Sequence, residues 1–156
     1  MRKRTIARVL AVALGAALAL GALAGCQSPA TGATDQQQAN RTYMTKVNQA
    51  VEELNTRLGE FDEAVAQESV VNMRNKANSA FEAIDALAAI DTPDAMKDLQ
   101  TNYVDGCNKL KDALNSYIDL YTEISSATEE APFDFSAYDG RVKEIQDAYN
   151  EGIDKL

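Results

Sequence analysis

Hydrophobic residues recur three and four positions apart over most of the chain after Tyr43. That spacing places them on one side of an α-helix, and polar segments divide them into four stripes. The stripes run over residues 44–65, 70–87, 96–124 and 138–156. No stretch alternates with period two for long enough to predict a sheet. The pattern therefore predicts an all-α domain over residues 43–156, folded as an antiparallel four-helix bundle with coiled-coil-like packing.

The first two stripes are separated by a segment without Gly or Pro. An unbroken helix would turn by about 140° beyond a full circle between Val65 and Val70, so its core positions would fall on polar residues. We therefore expect a tight hairpin at residues 67–69, with Ser69 as the N-cap of the second helix. The alternative is a three-helix arrangement with a long bent first helix.

The other two breaks carry clearer start signals. Thr92-Pro93-Asp94 offers a Thr N-cap, a Pro in the first helical position and an acidic residue at the positive helix end. Ser136-Ala137-Tyr138-Asp139 is similar to a capping box, with Asp in place of Glu, after an acidic loop at residues 126–135.

The first 25 residues are typical of an export signal. Arg2, Lys3, Arg4 and Arg8 are its only charged residues, and the 16 residues from Val9 to Ala24 are uncharged. That stretch is shorter than the roughly 20 residues that a membrane-spanning helix needs. We therefore expect residues 1–25 to be a cleaved signal peptide.

The signal ends in Leu23-Ala24-Gly25-Cys26. This motif resembles the lipobox of bacterial lipoproteins. The resemblance implies cleavage before Cys26 and a diacylglyceryl group on the Cys26 thiol, both made by lipoprotein-processing enzymes. It also implies a location on the extracytoplasmic face of the cell membrane, where two acyl chains such as palmitate would give stable anchoring.

Residues 26–42 contain no large apolar residue before Arg41, so we expect a lipidated Cys26 followed by a flexible tether. The domain behind it, with its helical pattern and its Ile90-Asp91-Thr92-Pro93 corner, resembles the small helical-bundle lipoproteins of Gram-positive bacteria.

The amino-acid composition limits the kinds of catalysis and binding that the chain can support. The chain has no His, two Cys and a net charge of −9. Without its first 25 residues it keeps all 24 acidic residues and loses four of its 15 basic residues, so its net charge becomes −13. This charge argues against binding to nucleic acid. The absence of His removes the commonest general base and the commonest metal ligand. We expect no catalytic site, no cofactor and no metal.

Three groups of residues remain as candidates for chemistry or binding. Asp98, Asp105, Asp112 and Asp119 recur every seven residues on the third helix, and we expect a solvated face, with a docking strip for a partner as the alternative. Five tyrosines of the third and fourth helices are expected in the core, with a ligand pocket as the alternative: Tyr103, Tyr117, Tyr121, Tyr138 and Tyr149. Cys107 is expected to be a small buried hydrophobe, although a reactive thiol is the alternative.

These observations predict a lipid-anchored cell-envelope protein whose bundle is a non-catalytic interaction or structural module. Its partners would be the membrane, through the acyl chains on Cys26, and an envelope protein. The alternative is an envelope ligand-binding protein with a Tyr-lined pocket between helices three and four.

Overall fold

A computed structural model describes residues 34–156 and shows four α-helices, with no β-strand in that range. The helices are α1 (Asp35–Ala66), α2 (Val70–Ala88), α3 (Lys97–Ser126) and α4 (Tyr138–Asp154). Short 3₁₀ turns at Asp94–Met96 and Phe135–Ala137 precede α3 and α4. The prediction of an all-α helical bundle is confirmed.

The predicted hairpin between the first two stripes is present. Ser69 is the N-cap of α2, and its hydroxyl accepts a hydrogen bond from the Asn72 N–H at 3.3 Å. Glu68 takes a φ of 55°, in the left-handed region, which reverses the chain within three residues. Its carbonyl accepts a hydrogen bond from the Tyr121 hydroxyl of α3 at 3.3 Å. The alternative of one long bent helix is therefore wrong.

Ion pairs between neighbouring helices show that consecutive helices run antiparallel. Lys76 of α2 pairs with Glu60 of α1 at 2.9 Å, and Arg74 pairs with Asp119 of α3 at 3.2 Å. Lys155 of α4 pairs with Asp105 of α3 at 2.8 Å. The connections at residues 67–69 and 127–137 therefore lie together at one end of the bundle, which we call the distal end. Thr34 and the corner at residues 89–96 lie at the opposite end.

The core runs between the helices and is built from the predicted stripes. Phe61 of α1 meets Tyr117 of α3 edge-on, with ring centroids 5.8 Å apart. No polar or charged residue of the described chain is fully buried. Each large apolar side chain removed from water contributes roughly 1.5–3 kcal/mol, so this core supplies the main stabilisation of the fold. The largest fully buried side chains are Tyr43, Tyr117, Phe61, Leu54, Met73, Ile84, Leu87, Leu110, Leu114, Ile118 and Leu120.

Helices α3 and α4 touch through their backbones at two glycines. A Cβ added to Gly106 would lie 2.8 Å from the Gly152 carbonyl oxygen. A Cβ added to Gly152 would lie 2.9 Å from the Gly106 carbonyl oxygen and 2.7 Å from Leu110 Cγ. Only glycine fits at either position, and this contact sets how closely α4 approaches α3.

The corner between α2 and α3 is fixed by a side-chain relay. The Tyr43 hydroxyl donates to Gln100 Oε1 at 2.6 Å, and the Gln100 amide donates to the Leu87 and Ala88 carbonyls at 3.1 Å each. Gln100 thus supplies a donor to the Ala88 carbonyl at the end of α2, and a second donor to the Leu87 carbonyl, which also accepts from the Ile90 N–H at 3.4 Å. The relay joins α1, α2 and α3 at the end of the bundle that contains Thr34.

Helix α1 begins earlier than the sequence analysis expects. Thr34 forms a capping box with Gln37: the Gln37 N–H donates to the Thr34 hydroxyl at 3.3 Å, and the Thr34 N–H donates to Gln37 Oε1 at 3.1 Å. The expected tether over residues 26–42 is therefore wrong for residues 35–42, which are helical. The remainder of that segment, residues 26–33, lies outside the described residues.

The other two helix starts also differ from the expected caps. The Thr92 hydroxyl donates to the Ile90 carbonyl at 2.9 Å, so it stabilises the corner and does not cap α3. The turn before α4 is capped by Asp134, whose carboxylate accepts from the Ser136 N–H at 2.9 Å. In both places a 3₁₀ turn intervenes, which moves the start of the α-helix beyond the predicted cap.

Candidate functional site

The predicted lipidation site and signal peptide lie outside the described residues. Cys26 and residues 1–25 precede Thr34, where the description of the structure starts. Cys26 is eight positions before Thr34, so the two are separated by at most about 28 Å of extended chain. Between residues 34 and 156, none of the helices is both long enough and apolar enough to span a bilayer.

The four aspartates of the strip on α3 are all exposed, but they have different surroundings. Asp105 pairs with Lys155 of α4, whose ammonium group lowers the pKa of the Asp105 carboxyl. Asp119 pairs with Arg74 of α2. Asp98 and Asp112 form no ion pair with another described residue. Half of the strip therefore joins neighbouring helices, which leaves two carboxylates free to meet another molecule.

The five candidate tyrosines fill the bundle interior. Tyr103, Tyr117, Tyr121 and Tyr149 are buried, and Tyr138 is partly buried. The hydroxyl oxygens of Tyr117 and Tyr138 are inaccessible to solvent and have no hydrogen-bond partner within residues 34–156. The three surface pockets described below are lined by other residues. The structure therefore places these rings in the core and not around one of those pockets.

Asp62 is a partly buried carboxylate that the sequence analysis does not single out. Burial raises its pKa to about 6, and it has no hydrogen-bond or ion-pair partner within the described chain. Burial raises the pKa of Tyr149 to about 12, and the negative charge of Asp62 adds to this shift. The same charge also contributes to the raised pKa of Tyr117, so Asp62 of α1 lies near both α3 and α4. The sequence spacing could have indicated this burial, because Asp62 follows Leu58 by four positions and precedes Val65 by three, which places it on the same side of the helix as these core residues.

Cys107 has the surroundings of an inert thiol. It is 1% exposed, and burial raises its pKa to about 11. Lys111, the cation that would stabilise a thiolate, forms an ion pair with Asp85. The thiolate is therefore scarce at neutral pH, and Cys107 lacks the properties of a nucleophile.

A groove of about 410 Å³ runs along the outer side of α3 and α4. Its lining is apolar and acidic apart from Ser116 and Arg141, and Arg141 forms a two-contact ion pair with Glu123. Within the described residues, no group of three or more His, Cys, Asp or Glu side chains is placed to hold a metal ion. The groove is lined by Asp112, Ala113, Ser116, Asp119, Glu123, Arg141, Glu144, Ile145 and Ala148.

Two further pockets lie at opposite ends of the molecule. One, of about 370 Å³, lies between α1 and the α2–α3 corner and includes Tyr43, Lys46 and Pro93. The other, of about 480 Å³, lies at the distal end beside the connection between α3 and α4. It includes Pro132 and Phe133, and Phe133 contacts the exposed ring of Phe135.

Comparisons with family models, with curated proteins and with solved structures found no match to this chain. Its function therefore has to be argued from the residues and their geometry.

Proposed function

We propose that this chain is a lipid-anchored protein of the cell envelope whose helical bundle binds other envelope components and catalyses no reaction. The observation that carries this proposal is Leu23-Ala24-Gly25-Cys26 at the end of a basic start and an uncharged stretch. Both the residues and their position match what a lipoprotein signal requires. The bundle would then be held at the extracytoplasmic face of the membrane by acyl chains on Cys26.

The architecture of residues 34–156 supports a role in presenting a surface. Helix α1 has 32 residues and is therefore about 48 Å long, so it separates the distal end from Thr34 by that distance. The core is continuous from one end to the other, and Cys107 is the free cysteine among the described residues. Such a bundle needs no disulfide, since buried apolar surface stabilises it.

The chemistry of the side chains favours binding over catalysis. The sequence contains no His, and the buried Cys107 thiol has a raised pKa. Asp62 has a pKa of about 6, but it has neither a nucleophile nor a second carboxylate as a hydrogen-bond partner. General acid–base catalysis needs a titrating group within reach of a substrate atom, and Asp62 lies partly inside the bundle.

A comparison of two cysteine variants tests the anchoring. We expect the wild-type protein and Cys107→Ala to sediment with membranes and to resist extraction by high salt, because acyl chains hold them in the bilayer. We expect Cys26→Ala to lose the lipid and to accumulate as the uncleaved precursor. Cross-linking in intact cells would then join the wild-type protein, but not Cys26→Ala, to an envelope protein. If wild type and Cys26→Ala fractionate and mature alike, the proposal is wrong.

A further inference from the structure

Two large apolar side chains are exposed within residues 34–156, and both lie at the distal end. Val71, in the first turn of α2, is 70% exposed, and Phe135, in the 3₁₀ turn before α4, is 53% exposed. A single exposed apolar residue needs no explanation. Here two exposed apolar side chains lie at the same end, and no other large apolar side chain is exposed on the described surface. The distal end therefore differs from the sides of the bundle.

Phe135 is held in place before any partner arrives. Its ring centroid lies 4.8 Å from that of Phe133 and 6.0 Å from that of Tyr138, and the Phe133 and Tyr138 rings are 6.4 Å apart. The Asp134 carboxylate fixes the turn through the Ser136 N–H. A rigid aromatic side chain costs little conformational entropy on binding, which is why aromatic residues often dominate binding energies at interfaces.

The pocket beside Phe133 has a mixed character. Ala127, Ala131 and Pro132 supply apolar surface, and Asp134 places a carboxylate on its lining, where Glu123 is already paired with Arg141. An apolar wall below acidic oxygens suits a Lys or Arg side chain, which packs its methylene stem on apolar surface and keeps its charged group at the edge.

The charge of the distal end is negative and locally unbalanced. Residues 67–69 and 127–137 contain four acidic residues and no Lys or Arg. Arg74 and Arg141, the basic residues closest to these connections along the sequence, already form ion pairs with Asp119 and Glu123. A basic partner would therefore meet carboxylates that have no cation beside them. The four acidic residues are Glu68, Glu129, Glu130 and Asp134.

We infer that the distal end is a docking surface for a basic segment of an envelope protein, in which Lys or Arg residues flank an exposed aliphatic or aromatic side chain. This inference rests on the proposed function, because it names the partner of the anchored bundle. A second copy of this chain fits poorly, since the same carboxylates would face each other. An anionic bilayer fits poorly for the same reason, and an anchor near Thr34 leaves the distal end about 48 Å away along α1.

Titration with defined peptides tests this inference on the protein purified from membranes in neutral detergent. The probe is a short peptide in which lysines flank a leucine and a phenylalanine. We expect it to bind and to shift the amide NMR signals of residues 67–72 and 127–138. We expect about tenfold weaker binding when serines replace its apolar residues, since a few buried apolar anchors carry most of the binding energy of an interface. With glutamates in place of lysines, binding should be lost.

Matched variants separate the distal end from general attraction to an acidic protein. Glu129→Gln/Glu130→Gln and Asp98→Asn/Asp112→Asn each remove two exposed charges, but the second pair lies on α3 outside the distal connections. We expect the first pair of substitutions to weaken peptide binding about tenfold, and the second pair to weaken it less than about twofold. Val71→Ser/Phe135→Ser should weaken peptide binding as much as the first pair. The melting temperature should fall by only a few degrees, because Phe135→Ser also removes the ring contacts with Phe133 and Tyr138. Equal effects of the two acidic pairs would overturn the inference.

Two further measurements examine the competing occupants. A fluorophore on Phe135→Cys, with Cys107 protected by its burial, should not be quenched by brominated lipid in phosphatidylglycerol vesicles. Sedimentation should show the same mass for the wild type and for Phe135→Ser. Quenching would show that the distal end contacts the bilayer. A wild-type dimer that becomes a monomer in Phe135→Ser would show that the distal end binds a second copy of the chain. Either result overturns the inference. The lipid anchor is measured independently, so its failure and that of the docking surface are distinguishable.

Discussion

At the scale of single residues, Asp62 is the carboxyl group of the described chain whose pKa departs furthest from its ordinary value. A carboxyl group with a pKa of about 6 in the folded protein and about 3.9 in the unfolded chain binds its proton more tightly when folded. Stability contributed by that proton is present at acidic pH and is lost as the pH rises through 6. Charged Asp62 therefore destabilises the bundle at neutral pH.

We accordingly expect Asp62→Asn to raise the free energy of unfolding by about 1–2 kcal/mol at pH 7.5 and to change it little at pH 4; the gain is below the full value of the pKa shift because solvent still reaches part of the carboxylate. Urea unfolding of both proteins at the two pH values measures this difference. Glu63→Gln, which neutralises the exposed neighbouring carboxylate, is the matched control and should stay within about 0.5 kcal/mol of the wild type. A gain from Asp62→Asn that is equal at both pH values would contradict the assigned pKa.

At the scale of helices, the backbone contact between α3 and α4 makes the sharpest prediction. Gly106→Ala and Gly152→Ala place a methyl group 2.8–2.9 Å from a carbonyl oxygen of the other helix. We expect each to destabilise the fold by about 1–3 kcal/mol, because overpacking forces the helices apart and outweighs the higher helix propensity of alanine.

Two other helical glycines provide controls for that prediction. A Cβ added to Gly59 of α1 or Gly140 of α4 meets no atom within 4 Å. We expect Gly59→Ala and Gly140→Ala to stabilise the protein by about 0.5–1 kcal/mol, since alanine has the higher helix propensity. Thermal unfolding of the four variants checks the contrast, and a Gly106→Ala protein as stable as Gly59→Ala would show that the helices do not touch there.

The positions of the helices are also the part of the structure that the sequence predicts best. The stripe spacing predicts the four helices, and the phase change after Val65 predicts the turn capped by Ser69, because both depend on local periodicity. The hydrophobic pattern does not predict the start of α1, because residues 35–42 are helical but contain no large apolar side chain. The capping box of Thr34 and Gln37 is the feature that marks this boundary. The burial of Asp62 depends on how the helices pack around α1, which no single stripe specifies.

At the scale of the whole molecule, the two ends of the bundle have different properties. The end with Thr34 carries the relay from Tyr43 to Gln100, and the chain there leads back toward Cys26. The distal end carries the exposed Phe135 and unbalanced acidic charge. A bundle anchored near Thr34 with its binding surface at the other end would act as a spacer, and its rigidity would come from the continuous core.

The intact mass of the protein extracted from membranes tests the proposal that Cys26 carries the lipid. We expect a chain of residues 26–156 plus a diacylglyceryl group, and a tandem spectrum that places the added mass on Cys26. Cys107→Ala should show the same adduct, because Cys107 is buried in the bundle. A protein that retains Met1, that begins at a residue other than Cys26, or that carries no lipid on Cys26 would contradict the account.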